Sequence, residues 1–200
     1  MEEIKPRYEF RVWADNLSRI REKLERLAQA KVTESAETYI ISAATEKTNA
    51  KIRAALMDIK VLVAASRGLE QWKPIMKGEF PLERSVIASQ VFPSLEVAAP
   101  AMSQSAYELK EFLDEVVRPH PSLSIAEVRK KRYQFRIGAC AAEYAEININ
   151  GHRRDTAAVE SVDGDAVVQL VHDLGITDSN TSYIREIKRV LGMVTEPSRA

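Results

Sequence analysis

The sequence has little of what most often identifies a function. Its single cysteine, Cys140, excludes an intramolecular disulfide and a cysteine-rich zinc site. The alanine-rich surroundings of this cysteine favour a small buried side chain, and no histidine partner for a catalytic thiol is identifiable. His152 and His172 have no partner at metal-ligand spacing. None of the short motifs that cradle nucleotide phosphates, bind zinc on a helix or present a catalytic serine occurs in the chain.

Net charge and long apolar runs are also lacking. Lysine and arginine together number 29, as do aspartate and glutamate, so the formal net charge is zero. Balanced charge and sparse aromatic residues disfavour binding to nucleic acid or to an anionic membrane. No stretch approaches the roughly 20 apolar residues that span a bilayer, and the amino terminus has no apolar signal region. We therefore expect a cytoplasmic protein, and whether it forms a homodimer stays open.

Charged and apolar side chains alternate along residues 7–12. In an extended strand Arg7, Glu9 and Arg11 share one face, while the aromatic and aliphatic residues between them face the other way. An ordinary edge strand with its charges in water has the same pattern. The stretch predicts a strand with one buried face, and it leaves open whether the polar face is a site.

Later segments repeat this alternation, with cations predominating. Strands are predicted at residues 37–44, 49–53, 58–63, 69–73, 125–137, 144–149 and 152–160; Pro74 is expected to end the segment at 69–73, and Asn150-Gly151 to form a hairpin turn. The polar faces carry nine cations, namely Arg7, Arg11, Lys51, Arg53, Lys60, Lys130, Arg132, Arg136 and Arg154. They carry four acids, Glu9, Asp58, Glu146 and Glu160. In a chain without net charge, this excess indicates that the strands concentrate positive charge.

Helices are predicted between and after these strands, at residues 17–27, 81–91, 102–117, 163–174 and 182–192. Asp15 or Asn16 is expected to cap the first helix, and Pro81 to occupy the first turn of the second. Asp163 and Ser182 are expected to cap the last two. Strands and helices together predict a sheet that helices cover on one side.

If that sheet curls into a barrel with its apolar face outward beneath the helices, the basic face becomes the lining. Guanidinium groups bind phosphate oxygens bidentately and lysines add point charges, so such a lining suits a polyanion. The few carboxylates on this face are oxygen donors of the kind that bind Mg²⁺ or Mn²⁺, ions that bridge phosphates. The residues therefore favour a small phosphorylated ligand.

The order and spacing of these features resemble the CYTH domain family, also called triphosphate tunnel metalloenzymes. This family includes class IV adenylate cyclases, thiamine triphosphatases and inorganic triphosphatases. The resemblance covers nearly the whole chain and rests on the first strand and four later segments: Lys51-Ile52-Arg53, Ile59-Lys60, Lys130-Lys131-Arg132-Tyr133, and Ala158-Val159-Glu160-Ser161 before a helix that ends at Leu174-Gly175. The segment Asn180-Thr181-Ser182-Tyr183 and its helix also look like the family's ending.

The resemblance implies an α+β fold, in which a mainly antiparallel eight-stranded barrel or cupped sheet has helices packed outside. One domain would span residues 1–192, with a helical insert at about 82–118 and a flexible tail at 193–200. The resemblance further implies that Glu9, Glu146 and Glu160 are the metal-binding and catalytic carboxylates. The nine cations named above would then bind the substrate phosphates.

Two positions depart from the family pattern. The E-x-E-x-K motif of the first strand reads Arg7, Glu9 and Arg11 here, and the late E-x-E motif reads Ala158 and Glu160. Two expected metal-site carboxylates are missing, and one of them is replaced by a cation. Phosphate binding survives this change better than two-metal hydrolysis does.

Two functions follow from the sequence. One is a triphosphatase or adenylate cyclase-like enzyme with attenuated activity, in which Mg²⁺ or Mn²⁺ on the three glutamates neutralises developing charge. The other is a non-catalytic module that binds a triphosphate, a nucleotide or polyphosphate in the same tunnel. The two differ in whether the bound phosphate chain is hydrolysed.

Overall fold

Residues 5–194 are the part of the chain that the computed structural model describes, and within them eight strands close into an antiparallel barrel. The strands of the chain are β1 (Arg7–Ala14), β2 (Lys31–Ser42), β3 (Thr48–Arg53), β4 (Leu56–Ser66), β5 (Leu69–Glu79), β6 (Leu82–Glu83), β7 (Ala106–Tyr107), β8 (Leu123–Ile137), β9 (Cys140–Ile149) and β10 (His152–Ser161). The barrel order is β1-β10-β9-β8-β2-β3-β4-β5, and β1 pairs with β5 to close it. The two shortest strands, β6 and β7, form a separate ladder.

Most of the helices lie outside this barrel, and the last one fills one of its ends. They are α1 (Ser18–Leu27), α2 (Arg84–Val86), α3 (Phe92–Ser94), α4 (Leu109–Glu111), α5 (Gly164–Asp173) and α6 (Tyr183–Val190). A wider, π-type helical stretch at Ile87–Val91 joins α2 to α3, and a second one at Phe112–Val117 continues α4. The α+β barrel with helices packed outside is thus confirmed.

Apolar side chains on the outer faces of the strands pack beneath the helices. Phe10 and Val12 of β1 share one buried cluster with Leu24 of α1 and Val167 of α5. These two β1 residues alternate with Glu9 and Arg11, so the pattern seen in the sequence separates the apolar face beneath the helices from the charged face inside the barrel. Burial of this apolar surface is the main force that holds the helices on the barrel.

The helical stretches between β5 and β8 cover another part of the barrel wall. Ile52 of β3 and Ile59 of β4 belong to a second buried cluster, together with Ile87 and Phe112 of the two π-type stretches. The charged residues that alternate with Ile52 and Ile59 are consequently turned inward.

The carboxy-terminal helix α6 has a different position. Val128 of β8 and Ile147 of β9 form a third cluster with Ile184 and Ile187 of α6. Val128 is two residues from Lys130 and shares its face of β8. The inward face of the barrel is therefore apolar at the end that α6 fills, a feature that the sequence did not predict.

Some boundaries differ from those predicted. Pro74 does not end its strand, because β5 runs on to Glu79 through a β-bulge. Ile59 is paired with Met76 and Lys60 with Pro74, so Ile75 is an extra residue on the β5 side. Proline has no N–H to donate, and a bulge is one of the few places where a sheet accommodates it.

The predicted helix starts were also partly wrong. Pro81 follows a cis peptide bond and leads into β6, and the helix begins only at Arg84. The helix expected from residue 102 begins at Leu109, where Glu108 and Glu111 form a capping box. Helix α1 has Leu17 at its N-cap position rather than Asp15 or Asn16, although Asn16 Oδ1 accepts a hydrogen bond from the Ser18 amide.

The other predicted start and turn signals are confirmed. Asp163 caps α5 by accepting from the amides of Asp165 and Ala166, and Ser182 caps α6 by accepting from the Arg185 amide. Asn150 and Gly151 have positive φ angles in the β9–β10 hairpin turn. The predicted tail at residues 193–200 lies outside the described residues from 195 onward. Among residues 5–194, no helix is long and apolar enough to cross a membrane.

Candidate functional site

The inward faces of all eight barrel strands line one cavity of about 740 Å³, the central cavity, which ends on Ser182 and Tyr183 at the start of α6. An adjoining side lobe of about 430 Å³ shares Glu9, Arg11 and Glu160 with it. The two spaces therefore adjoin along β1 and β10. Volumes of this size accommodate a small organic ligand.

Cations outnumber acids in the lining of the central cavity. Among the described residues that line it, nine are cationic, namely Lys5, Arg7, Arg11, Lys51, Arg53, Lys60, Lys77, Lys130 and Arg132. Five are acidic, namely Glu9, Glu37, Asp58, Glu143 and Glu160. The lining thus has four more basic than acidic residues, in a chain whose formal net charge is zero. A concave surface of one sign raises the local concentration of oppositely charged ligands.

The deepest part of the central cavity, the floor, consists of Glu37, Tyr39, Lys51, Lys130 and Tyr183. Glu37 Oε2 lies 2.7 Å from Lys130 Nζ and 3.4 Å from Lys51 Nζ. Tyr39 donates its hydroxyl to Glu37 over 3.1 Å and accepts from Lys130 over 2.8 Å. The Lys130 ammonium also lies 4.0 Å from the centre of the Tyr183 ring, a cation–π distance. One carboxylate thus serves two lysines in a buried network.

Burial and this sharing set the protonation of the floor. Burial lowers the pKa of Lys130 to about 7, although Glu37 acts in the opposite direction. Burial alone would raise the pKa of Glu37, but Lys130 and Lys51 together lower it to about 2. Burial also lowers the pKa of Lys51. Glu37 is therefore ionised, whereas burial makes the charge of Lys130 costly even though this lysine is paired with Glu37.

Arginines pair with the carboxylates higher in the cavity. Arg11 Nε donates to Glu9 over 2.8 Å, and Arg7 Nη1 donates to Glu160 over 2.9 Å. Burial opposes the charge of Arg11, but Glu9 and Tyr183, followed by Glu143, raise its pKa overall, so this guanidinium stays charged. Each pair engages one oxygen of a carboxylate that was predicted to bind a metal ion.

Glu143 of β9 is held in the same way by arginines. Arg132 Nε donates to Glu143 Oε2 over 2.6 Å, and Arg11 Nη1 lies 3.5 Å from Glu143 Oε1. Burial would raise the pKa of Glu143, but Arg11 and Arg132 lower it overall. A carboxylate between two guanidinium groups is a weak competitor for a divalent ion, since the cations would repel that ion.

The donor set does not fit Mg²⁺ or Mn²⁺ as it is arranged. Within residues 5–194, no group of three or more acidic, histidine or cysteine side chains could bind a metal ion. Glu9 and Glu160 are neighbours across the β1–β10 ladder, but each is paired with an arginine. Arg7 thus places a cation where the E-x-E-x-K pattern has a carboxylate, and its guanidinium group also binds Glu160.

Most of the residues predicted for the site come together. Those that line the central cavity are Arg7, Glu9, Arg11, Lys51, Arg53, Lys60, Lys130, Arg132 and Glu160. Arg136 lines the side lobe. Arg154 lies on the inward face of β10 but outside the central cavity, where it forms ion pairs with Asp15 at 2.6 Å and with Glu186 of α6 at 2.9 Å. The charge of Arg154 is therefore neutralised by these two acids at the barrel end that α6 fills.

Glu146 is the predicted residue that the structure does not bring to the cavity. It lies on the outer face of β9, where it pairs across the ladder with Lys131 and lies 3.6 Å from Arg21 of α1. The sequence grouped Glu146 with inward residues because the apolar residues beside it were taken to face the helices outside. They face inward instead, where α6 packs among them.

Two inward carboxylates were missed. Glu37 belongs to a strand that was predicted without a site, and its proximity to lysines depends on pairing with residues far away in sequence. Glu143 was within reach: a two-residue turn at Asn150-Gly151 places it directly opposite Ala158, a position already assigned to the inward face. The hairpin register therefore predicts that Glu143 faces inward. No comparable signal in the sequence identifies Glu37.

Comparison with known proteins supports the fold. No protein-family model matches the sequence, and no curated protein matches it. Solved structures do match. HpAC1 from Hippeastrum, described as a candidate adenylyl cyclase with a dominant triphosphatase activity, is 14% identical with a TM-score of 0.53, over 95% of this chain and 98% of its own.

Two archaeal structures are similar to a comparable degree. A protein of Pyrococcus horikoshii is 13% identical with a TM-score of 0.50, over 90% of this chain and 98% of its own. A conserved hypothetical protein of Pyrococcus furiosus is 12% identical with a TM-score of 0.50, over 90% of this chain and 97% of its own. At these identities the likeness concerns the fold alone, and it agrees with the closed antiparallel barrel described above.

Proposed function

We propose that the barrel binds a small phosphorylated anion, with a triphosphate group in the central cavity, and that arginine and lysine side chains hold it without a divalent metal ion. The observation that carries this proposal is the excess of cations over acids in one cavity. Guanidinium groups bind phosphate oxygens with paired, charge-assisted hydrogen bonds, and lysines add strongly attractive point charges.

The arrangement of the ion pairs supports binding without a metal. Arg7 is about half exposed at the cavity, so exchanging Glu160 for a phosphate oxygen costs it little desolvation. Arg53 is similarly exposed and lies 3.6 Å from Glu37. Both guanidinium groups can turn to a phosphate chain and neutralise charge that a divalent ion would otherwise neutralise. HpAC1, with its described triphosphatase activity, favours a triphosphate as the anion.

Slow hydrolysis of the bound triphosphate is a second candidate function. Glu9 and Glu160 are directly opposite each other on β1 and β10, beside the arginines that would hold the phosphates. A carboxylate in that position can orient and deprotonate a water molecule for attack on phosphorus. Both glutamates are already hydrogen-bonded to arginines, which leaves them less available to bind that water molecule and favours binding over turnover.

The test of binding uses inorganic triphosphate and calorimetry in the presence of a chelator. We expect measurable binding and a raised melting temperature, since a ligand bound only by the folded state stabilises it. Arg53→Ala should weaken binding by about 1.5–3 kcal/mol, the range for hydrogen bonds to charged groups. Arg19→Ala on the exposed surface of α1 removes the same charge outside the cavity and should leave binding unchanged. Equal affinity of the two variants, or no binding to the wild type, would refute the proposal.

Release of phosphate from the same ligand separates binding from catalysis. With Mg²⁺, with Mn²⁺ and with chelator alone, we expect slow release or none. Glu9→Ala should then leave binding in chelator nearly unchanged. Rapid turnover that depends on a divalent ion and is lost in Glu9→Ala would establish the enzyme instead, and would show that the arginine pairs open to admit a metal.

A further inference from the structure

We propose that the ligand carries an apolar ring next to its phosphates, and that Trp72, Pro74 and Ile75 of β5 form the surface that holds this ring. The inference rests on the proposed function and specifies its ligand as an aromatic phosphate ester rather than an inorganic polyphosphate. We refer to the three residues as the apolar wall.

A β-bulge creates the apolar wall. Along β5, alternation places Trp72 and Pro74 inward, and without an irregularity the next inward residue would be Met76. The bulge inserts Ile75 without a partner on β4, so Ile75 lines the cavity next to Pro74. Met76 also contacts the cavity, but it is buried in the cluster beneath the helical stretches. Two successive residues, Pro74 and Ile75, thus present apolar side chains to the same space. Bulges often redirect side chains beside functional sites in this way.

The exposure of Ile75 indicates that something covers it. The side chain is 44% exposed and lines the central cavity, most of whose other lining residues are charged or polar. An apolar group bound there would remove that surface from water, which is favourable in proportion to the area covered. A phosphate chain cannot do this, because it has no apolar surface.

The apolar wall adjoins the cations that would hold the phosphates. Lys60 is the direct cross-strand partner of Pro74, and Arg7 is the direct partner of Trp72. Residues opposite each other in a ladder have Cβ atoms about 5 Å apart. A single ligand can therefore place phosphates on Lys60 and Arg7 and a ring on the wall, so the charge of its neighbours identifies the occupant of the wall as part of a phosphorylated molecule.

The indole of Trp72 is fixed at the edge of this wall. Its Nε1 donates to Glu70 Oε2 over 3.2 Å, and the residue is nearly buried. A ring whose polar atom is already satisfied offers an apolar edge at no cost in hydrogen bonding. A flat aromatic group fits beside it better than a flexible chain, because edge and face contacts between rings add to the area term.

The test compares phenyl triphosphate with methyl triphosphate. The two esters carry the same charged group and differ only in the ring, so inorganic triphosphate and the methyl ester report on the cations alone. We expect the phenyl ester to bind about tenfold more tightly than the methyl ester, which corresponds to about 1.4 kcal/mol. Calorimetry in chelator measures all three ligands.

Two matched variants locate the ring. Ile75→Thr removes apolar surface from the wall and keeps a β-branched side chain, so the strand preference is retained. Val63→Thr is its control: Val63 has a similar exposure, also sits at an irregularity of the β4–β5 ladder, and does not line the cavity. We expect Ile75→Thr to weaken the phenyl ester about fivefold and leave the methyl ester unchanged. Val63→Thr should change neither.

The outcomes distinguish this inference from the proposed function. If inorganic triphosphate binds but the phenyl and methyl esters bind equally, or if Ile75→Thr weakens both esters alike, the apolar wall does not hold a ring and the inference is wrong. If none of the three ligands binds, the phosphate site itself fails and the inference fails with it. Similar melting temperatures of the two variants exclude a folding defect as the cause of weaker binding.

Discussion

At the scale of single residues, the protonation of the cavity floor depends on burial and on one carboxylate, Glu37, that two lysines share. Glu37 is almost fully buried with two ammonium groups near one oxygen, so its ionised form is strongly favoured. Lys130 has only a share of that charge and is itself buried, so its own ionised form is weakly favoured. An anionic ligand that enters the cavity adds negative charge near Lys130 and shifts its balance toward the protonated form.

Affinity for the ligand should therefore depend on the protonation of Lys130. The free protein loses this proton near neutral pH, where burial has lowered its pKa to about 7, whereas the complex retains it. Binding above that pH takes up a proton, and affinity should fall by up to about tenfold per pH unit. Calorimetry of inorganic triphosphate from about pH 7 to about pH 9 measures the fall.

Lys130→Arg is the control for this pH dependence, since arginine keeps its charge across the range. The titration of the ligand itself is common to both proteins and cancels in the comparison. The wild type should lose affinity more steeply than Lys130→Arg. Identical slopes would mean that Lys130 does not change protonation on binding.

Residues of the site were predictable where local alternation decides which way they face. Arg7, Glu9 and Arg11 follow from the pattern of one strand, and the structure confirms their shared inward face. The prediction for Glu146 was wrong because alternation divides a strand into two faces without indicating which face is inside the barrel. The hairpin register pairs Glu146 with Asp155, whereas the inward residues of β10 are the even-numbered ones. This register would have assigned Glu146 to the outer face.

At the scale of elements, α6 explains why alternation was ambiguous on β9. The sequence rule that apolar strand residues face the covering helices holds for β1, β3 and β4, where the helices lie outside. On the second half of β9 and the first half of β8 the covering helix lies inside the barrel end, so the same rule reverses the faces. Which helix enters the barrel depends on tertiary packing and has no local sequence signal.

Filling the barrel end should make α6 a major contributor to stability. Ile187 is fully buried between α6 and the strands, so Ile187→Ala leaves a cavity that the barrel wall cannot collapse to fill. We expect a loss of about 2–5 kcal/mol in the free energy of unfolding, the range for truncating a buried isoleucine. Urea denaturation monitored by tryptophan fluorescence measures this loss.

The exposed Leu27 at the end of α1 provides the comparison. Leu27→Ala removes a similar volume of side chain from a helix outside the barrel, and should cost no more than about 0.5 kcal/mol. If Ile187→Ala cost as little as Leu27→Ala, α6 would be loosely attached rather than packed as a plug. The floor of the cavity would then be open to water.

At the scale of the whole molecule, the barrel separates charge that the composition conceals. The chain has no net charge, yet its central cavity has an excess of four cations. The sequence predicted this separation from the strand faces, because closure of a barrel turns one face of every strand to the same space. It could not predict which cations pair with acids inside that space, since those contacts join strands distant in sequence, as between Glu37 and Lys130.

This separation of charge should make ligand binding sensitive to salt. The distance over which charges interact shrinks from about 10 Å at 0.1 M to about 3 Å at 1 M ionic strength. Attraction of a triphosphate by the whole cavity should therefore weaken as salt is added. Lys77 and Lys73 on β5 test the origin of the effect, because Lys77 lines the cavity and Lys73 does not.

Both substitutions to alanine change the net charge equally, but only Lys77→Ala lowers the potential inside the barrel. We expect Lys77→Ala to weaken inorganic triphosphate binding at low salt by up to about 1 kcal/mol and to flatten its dependence on salt. Lys73→Ala should reproduce the wild-type curve, measured by calorimetry over a series of salt concentrations. Equal curves for the two variants would show that the ligand responds to the charge of the whole protein and not to the field of the cavity. That result would contradict the placement of the phosphate site inside the barrel, because a charge on the outer wall is screened from the interior at moderate salt while one on the lining is not.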